Sequence, residues 1–125
     1  MKSIFVMDDE AAMGENIQRM LKFPDTTVTA YVDPVKGLAD ALSNPPDLVL
    51  LDMRMPGMSG EALYERVRAG NPGQAEGFVF MTGVGFGGDV ERFMAESGRL
   101  MLEKPFPAQK ALETIARVMN RRAVA

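Results

Sequence analysis

The feature that most constrains the fold is an uninterrupted apolar run followed at once by a carboxylate and a turn. Residues 48–51 are all aliphatic, and Asp52 comes directly after them. Pro56, Gly57 and Gly60 follow within a few positions. An apolar run without alternation is typical of a strand buried on both faces of a parallel sheet. Because Pro and Gly are unfavourable inside strands and helices, we expect Asp52 at the carboxyl end of this strand, where open α/β sheets bind ligands. Taken alone, Asp52 is equally consistent with a carboxylate that only caps a turn.

The rest of the chain alternates strand-like segments with segments of helical periodicity. Strands are predicted at residues 3–7, 26–32, 48–51, 78–81 and 100–102, and helices at 11–22, 34–43 and 60–70, after Asp89, and from 108 onward. Asp33, Ser59 and Asp89 are predicted N-caps, and the polar second strand is expected at a sheet edge. We predict one domain spanning residues 1–125, an α/β fold of the flavodoxin-like (βα)5 type. Its doubly wound parallel sheet would have five strands in the order 2-1-3-4-5 rather than the dinucleotide-binding order.

Composition narrows the available chemistry. The chain has no cysteine and no histidine, which excludes thiol chemistry, zinc hydrolysis and Ser-His catalysis. The net charge of -3 gives no case for nucleic-acid binding, and Arg117, Arg121 and Arg122 are expected to be a solvated helix end. No apolar run approaches about 18 residues and no secretory leader is visible, so we expect a cytoplasmic protein without a membrane partner.

Polar side chains follow four of the five predicted strands. They are Asp8 and Asp9 after the first strand, Asp52 after the third, Thr82 after the fourth and Lys104 after the fifth. In a parallel sheet they would meet at one edge. Two like charges about 4 Å apart repel by roughly 4 kcal/mol at an effective dielectric of about 20, so converging carboxylates need a proton or a cation. Oxygen-only ligation favours Mg²⁺, and a hydroxyl and an ammonium opposite would suit a phosphoryl group. Each residue also has a purely structural interpretation, as a helix cap, a strand residue or a surface lysine.

With Asp8-Asp9, Asp52-Met-Arg-Met-Pro-Gly-Met-Ser-Gly60, Thr82 and Lys104-Pro105 in this order, the chain resembles the receiver domain of two-component response regulators over nearly its whole length. The resemblance implies that Asp52 is the phosphoacceptor and that Thr82 and Lys104 bind the phosphoryl group. It also implies that Asp8, Asp9, Asp52 and the backbone carbonyl of Arg54 hold Mg²⁺, directly or through water. The donor would be a phosphohistidine on a histidine kinase or a histidine phosphotransfer domain. Such a domain is a signalling module that assists its own phosphorylation and dephosphorylation.

Two features depart from the usual receiver pattern. Many receivers carry an aromatic residue three positions before the lysine, where this chain has Met101, and four glycines fall within residues 83–88. We therefore hypothesise that signalling depends on ordering this loop and the helix after it, rather than on an aromatic switch. The segments around Thr82 and Lys104 also resemble receivers attached to hybrid sensor kinases. We expect either a stand-alone regulator or a receiver taken from a larger protein.

Three alternatives remain open. A Mg²⁺-dependent phosphohydrolase would share the aspartyl-phosphate chemistry, but such enzymes usually need a second carboxylate two residues after the nucleophile, where this chain has Arg54. A receiver-like module that binds partners without phosphorylation would not need the acidic set. Flavin binding rests on analogy of fold alone.

Overall fold

Five parallel strands and six helices make up the structure, a computed structural model that describes residues 2–22, 24–83 and 87–124, with side chains as far as residue 122. The strands are β1 (Lys2–Met7), β2 (Thr26–Tyr31), β3 (Leu48–Asp52), β4 (Phe78–Thr82) and β5 (Leu100–Glu103). The helices are α1 (Ala11–Met20), α2 (Pro34–Ser43), α3 (Gly60–Gly70), α4 (Pro72–Ala75), α5 (Gly88–Ser97) and α6 (Ala108–Val124). All paired strands are parallel, and their order is β2-β1-β3-β4-β5. The predicted fold class and strand order are confirmed.

The sheet is covered on both faces, which explains the apolar runs in its central strands. Every residue of β3 and of β4 is buried. One core lies between the sheet and helices α2, α3 and α5, and a second lies between the sheet and helices α1 and α6. Every residue of β2 is half-buried or exposed, as expected for an edge strand.

Two of the three predicted helix caps are confirmed. The Asp33 carboxylate accepts a hydrogen bond from the Val35 N–H at 3.0 Å, and the Ser59 hydroxyl accepts one from the Ala62 N–H at 3.1 Å. The prediction for Asp89 is wrong. Helix α5 begins at Gly88 after a Gly87 N-cap that offers no side-chain acceptor, and Asp89 lies in the first turn. A carboxylate there still interacts favourably with the helix dipole.

Two further predictions need correction near the end of α3. The sequence predicts five helices, but Asn71 caps an additional single turn, α4, by accepting a hydrogen bond from the Gln74 N–H at 3.2 Å. Arg122 is not part of a freely solvated helix end. It is half-buried, and its Nη1 donates to the carbonyl of Gly73 at 2.7 Å. The end of α6 is thus tied to α4.

Within the described ranges, no helix has both the length and the apolar character needed to cross a bilayer.

Candidate functional site

Two buried carboxylates stand side by side at the carboxyl edge of the sheet. Strands β1 and β3 are neighbours, with Met7 opposite Leu51, so the residues that follow each strand's apolar run are adjacent. Asp8 is 2% exposed and Asp52 is 6% exposed. Because burial penalises a charged group that lacks a partner, two such carboxylates require positive charge or protons nearby.

Lys104 supplies that positive charge. Its Nζ lies 2.6 Å from Oδ2 of Asp8 and 3.3 Å from Oδ2 of Asp52. The other oxygen of each carboxylate accepts a backbone N–H, from Glu10 at 2.9 Å and from Arg54 at 3.2 Å. Asp8 is therefore not the N-cap of α1, which is Glu10, and Lys104 is not a freely solvated surface lysine.

Thr82 lies at the same edge, at the end of β4. Strand β4 pairs with β3 so that Met81 lies opposite Asp52, and Thr82 is 2% exposed. Among the described residues, its hydroxyl makes a long contact of 3.5 Å with the Gly83 carbonyl. Its own carbonyl accepts the Lys104 N–H at 2.6 Å, which fixes the chain leading to Lys104.

Asp9 completes an acidic cluster. Asp9 is exposed, yet Asp8, Asp9 and Asp52 each offer a carboxylate oxygen within 4.8 Å of the others. Three carboxylate oxygens without histidine or thiolate ligands form the type of site that suits a hard divalent cation. The five side chains that the sequence predicts to converge are thus all found at one edge of the sheet.

The electrostatics of the cluster follow from burial and charge. Burial raises the pKa of Asp52, and the neighbouring Asp8 charge adds to this, whereas the Arg54 N–H and Lys104 act in the opposite direction. Burial by itself would lower the pKa of Lys104, but the hydrogen bond to Asp8 and the charges of both carboxylates raise it above its usual value. Lys104 therefore remains a cation at neutral pH. Added positive charge near Asp52 would stabilise the ionised form of its carboxyl group.

The comparisons with known proteins agree with this geometry. Residues 4–116 match the family model of the response regulator receiver domain. This chain belongs to that family. Members of the family accept a phosphoryl group on an aspartate in two-component systems.

Solved structures of receiver domains share the fold. A response regulator receiver domain protein from Clostridium thermocellum is 27% identical, with a TM-score of 0.82, and the match covers 99% of this chain and 98% of that one. A CheY-like receiver domain protein from Methanospirillum hungatei has a TM-score of 0.88 at 24% identity, with 98% of this chain and 97% of that one covered, which supports the fold alone.

Curated relatives of this receiver domain are longer proteins. It is 26% identical to the C4-dicarboxylate transport transcriptional regulatory protein DctD of Rhizobium meliloti over 120 residues, which is 96% of this chain but 26% of DctD. The match to RpaA of Synechocystis covers 50% of that protein at 26% identity. The receiver domain therefore spans between about a quarter and a half of these two relatives.

Sequence reasoning missed two backbone features of the receiver site. The Glu10 N–H donates a hydrogen bond to the Asp8 carboxylate. Because this donor belongs to the backbone, the types of side chain in the sequence do not reveal it. Gly60 lies so close to the loop after β3 that a Cβ there would clash with the Asp52 carbonyl oxygen and come within 2.9 Å of the Met53 Cα. Its N–H also donates to the Met53 carbonyl at 3.0 Å. The only sequence signal was a glycine at the start of a helix, where a glycine otherwise weakens the helix.

Proposed function

We propose that Asp52 is the residue that accepts the phosphoryl group in this receiver domain. The observation that carries the proposal is the pairing of a buried Asp52 with Lys104 at the carboxyl edge of the sheet, 3.3 Å apart and beside Asp8. A carboxylate in this position is a competent nucleophile toward phosphorus. Its neighbours offer both a charge partner for the phosphoryl oxygens and a set of ligands for a cation.

The acidic cluster fits a magnesium ion. In this proposal, Asp8, Asp9, Asp52 and the backbone carbonyl of Arg54 hold Mg²⁺, directly or through water. The closeness of the three carboxylates and the absence of nitrogen and sulfur ligands support the choice of ion. A bound Mg²⁺ would neutralise part of the negative charge on the carboxylates and on the incoming phosphoryl oxygens.

In this proposal Lys104 and Thr82 bind the oxygens of the phosphoryl group. The Lys104 ammonium already contacts the Asp52 carboxylate and would neutralise a phosphoryl oxygen after transfer. Thr82 places a hydroxyl at the same edge of the sheet, and a hydroxyl there can donate to a phosphoryl oxygen. Both residues then act mainly by positioning and by electrostatic stabilisation.

The transfer itself is a single displacement at phosphorus. A carboxylate oxygen of Asp52 forms a bond to the phosphorus of a phosphohistidine while the bond from phosphorus to the imidazole nitrogen breaks. The imidazole leaves with the electron pair and takes a proton from solvent. The donor would be a histidine kinase or a histidine phosphotransfer domain, since this chain has no histidine. The domain would also assist hydrolysis of its own acyl phosphate, and it would act in the cytoplasm.

Acceptance from a small-molecule donor tests the assignment of Asp52. We expect acetyl phosphate with Mg²⁺ to add one phosphoryl group to the chain, detected as a gain in intact mass. Asp52→Asn should abolish this gain, because the amide is not a nucleophile toward phosphorus. Asp9→Ala should weaken the dependence on Mg²⁺ or remove the labelling. Lys104→Ala should fold, but we expect it to be labelled poorly and to signal poorly.

Asp25→Asn is the matched control. It removes one exposed carboxylate at a position with φ of 59°, a conformation that asparagine tolerates. Labelling of Asp52→Asn at the rate of this control would refute the assignment. Steady turnover of phosphate esters would favour the phosphohydrolase, and a chain that binds its partner equally well when Asp52 cannot be labelled would favour the binding module.

The switch hypothesis also remains a proposal. Residues 84–86 of the glycine-rich loop lie outside the described residues, but the helix after the loop is described. Helix α5 buries one side chain, Phe93, and Met101 occupies a half-buried position on β5. We expect a phosphoryl mimic to change amide hydrogen exchange across residues 83–97. Unchanged protection there, with the mimic shown to be bound, would contradict the hypothesis.

A further inference from the structure

A cavity lies at the amino-terminal ends of β4 and β5, at the opposite end of the sheet from Asp52. Its volume is about 260 Å³. Apolar side chains of Phe78, Leu100 and Val118 line part of it, and its polar wall is formed by Arg99, Arg121, Arg122 and Glu76. Three guanidinium groups around one small cavity are unexpected in a chain whose net charge is -3.

Two of these arginines are half-buried and fixed by the backbone. Arg99 donates from Nε to the Ser97 carbonyl at 3.1 Å, and Arg122 donates from Nη1 to the Gly73 carbonyl at 2.7 Å. A guanidinium carries five N–H donors, so each keeps several after this single bond. The missing side chain of Gly77 leaves room for Arg122, since a Cβ there would lie 3.3 Å from its Cζ. The donors are therefore held in place before any ligand arrives.

No carboxylate among the described residues forms an ion pair with any of the three arginines. Glu76 lines the same cavity but is not paired with them. Arg122 also faces a neighbouring cavity of about 440 Å³, which Lys2, Asp47 and Glu76 line as well, so the excess of cations is confined to the smaller cavity. Because half-buried cations without a counter-charge are unfavourable, an anion in the cavity would improve their environment.

We propose that this arginine cavity binds a small phosphate-bearing molecule. Guanidinium forks match phosphate oxygens in a bidentate manner, and three of them exceed what one carboxylate would need. The volume lies below the range of about 300–1,000 Å³ that is common for drug-sized ligands, so the ligand is small. The cavity is separate from the proposed phosphoacceptor. It lies at the amino-terminal ends of β4 and β5, whereas Asp52 lies at the carboxyl edge of the sheet.

Titration with inorganic pyrophosphate in magnesium-free buffer, followed by backbone amide NMR shifts, tests the proposal. We expect saturable shifts at residues 97–100 and 119–122. Arg99→Gln combined with Arg121→Gln should weaken binding by about tenfold or more, because charge-assisted hydrogen bonds are lost. Arg122→Lys, which keeps the charge but loses the fork, should also weaken binding. Arg117→Gln is the matched control, because it removes the same charge from the same helix outside this cavity.

Several results would overturn the proposal. One is a set of NMR shifts that grow linearly with pyrophosphate and are reproduced by sodium chloride of equal ionic strength. A second is a set of saturable shifts confined to residues around Thr82 and Lys104. A third is a weakening of binding by Arg117→Gln equal to that of the cavity variants. None of them bears on Asp52, whose labelling is measured by intact mass.

Discussion

Helices α3 and α5 are of similar length and lie on the same face of the sheet, but they are attached to it very differently. Helix α3 buries Gly60, Leu63, Tyr64 and Val67, whereas α5 buries Phe93 alone among its residues. Gly60, at the start of α3, contacts the loop that follows Asp52, and α5 comes after the loop that follows Thr82. The strand that carries the proposed phosphoacceptor is therefore supported by a firmly packed helix, and the strand that carries Thr82 by a lightly packed one.

This difference suits the two tasks of a receiver domain. Phosphoryl transfer depends on fixed positions of charged groups, because misplacement of a reacting group slows the step. A response that a partner can detect needs an element whose packing can change at low cost. The firmer packing lies at β1, β3 and α3, and in our proposal α5, in which Phe93 is the one buried residue, is the element that moves.

The largest expected effect comes from removing the one buried side chain of α5, which Val90 and Met94 only supplement from half-buried positions. Phe93 makes edge-on contacts with Tyr64 and Phe80, with ring centroids 5.6 Å and 5.1 Å away. Phe93→Ala should cost about 3–5 kcal/mol of local stability, as large-to-small core changes do. Because α5 has no other buried side chain, we expect amide protection to fall far more across residues 88–97 than in β1 and β3.

Leu63→Ala in α3 is the matched comparison. Leu63 is 0% exposed, and its truncation should cost about 2–5 kcal/mol and lower protection throughout the sheet. Equal, uniform losses of protection in both variants would show that α5 belongs to the same cooperative unit as α3, and would remove the contrast between the two helices.

A smaller effect is expected at the start of α3. Gly60→Ala places a Cβ against the Asp52 carbonyl oxygen and near the Met53 Cα, and backbone atoms cannot move aside as a flexible side chain can. We expect a loss of about 1–3 kcal/mol in the free energy of unfolding and slower labelling by acetyl phosphate.

The control for Gly60→Ala lies at the other end of the same helix. Among the described residues, the nearest atom to a Cβ at Gly70 would be a Leu42 methyl at 3.8 Å, an ordinary contact. Gly70→Ala should therefore be neutral or stabilise the fold by up to about 1 kcal/mol through helix propensity. Loss of labelling in Gly70→Ala but not in Gly60→Ala would contradict the proposed support of Asp52 by α3.

The firmly packed part of the fold was also the part that the sequence predicted best. The apolar runs at 48–51 and 78–81 are buried strands, and the caps Asp33 and Ser59 are local patterns that needed no tertiary information. The convergence of Asp8, Asp52 and Lys104 followed from parallel strand geometry alone.

What the sequence did not predict depends on contacts between distant segments or on a cap without a side chain. Helix α5 starts after Gly87, which offers no capping acceptor, so Asp89 was the only visible signal. The turn α4 begins at Pro72. In the sequence, a proline at this position equally predicts the end of the preceding helix. Arg122 bonds to a carbonyl 49 residues away, a contact that no local pattern of charges encodes.

The smallest expected effect concerns the other firmly held helix, α2. Burial, together with the hydrogen bond at 2.8 Å and the charge of Asp40, raises the pKa of Tyr31 to about 12. Because the folded state holds this proton more tightly than the unfolded chain, the contribution to stability is complete below the ordinary pKa of 10.0 and is lost as the pH rises through about 12.

Asp40→Asn should lower the pKa of Tyr31 only part of the way toward its ordinary value, since burial remains. NMR titration of isotope-labelled tyrosine, run side by side on Asp40→Asn and the unchanged protein, measures it, and an unchanged Tyr31 pKa would show that Asp40 does not hold β2 to α2.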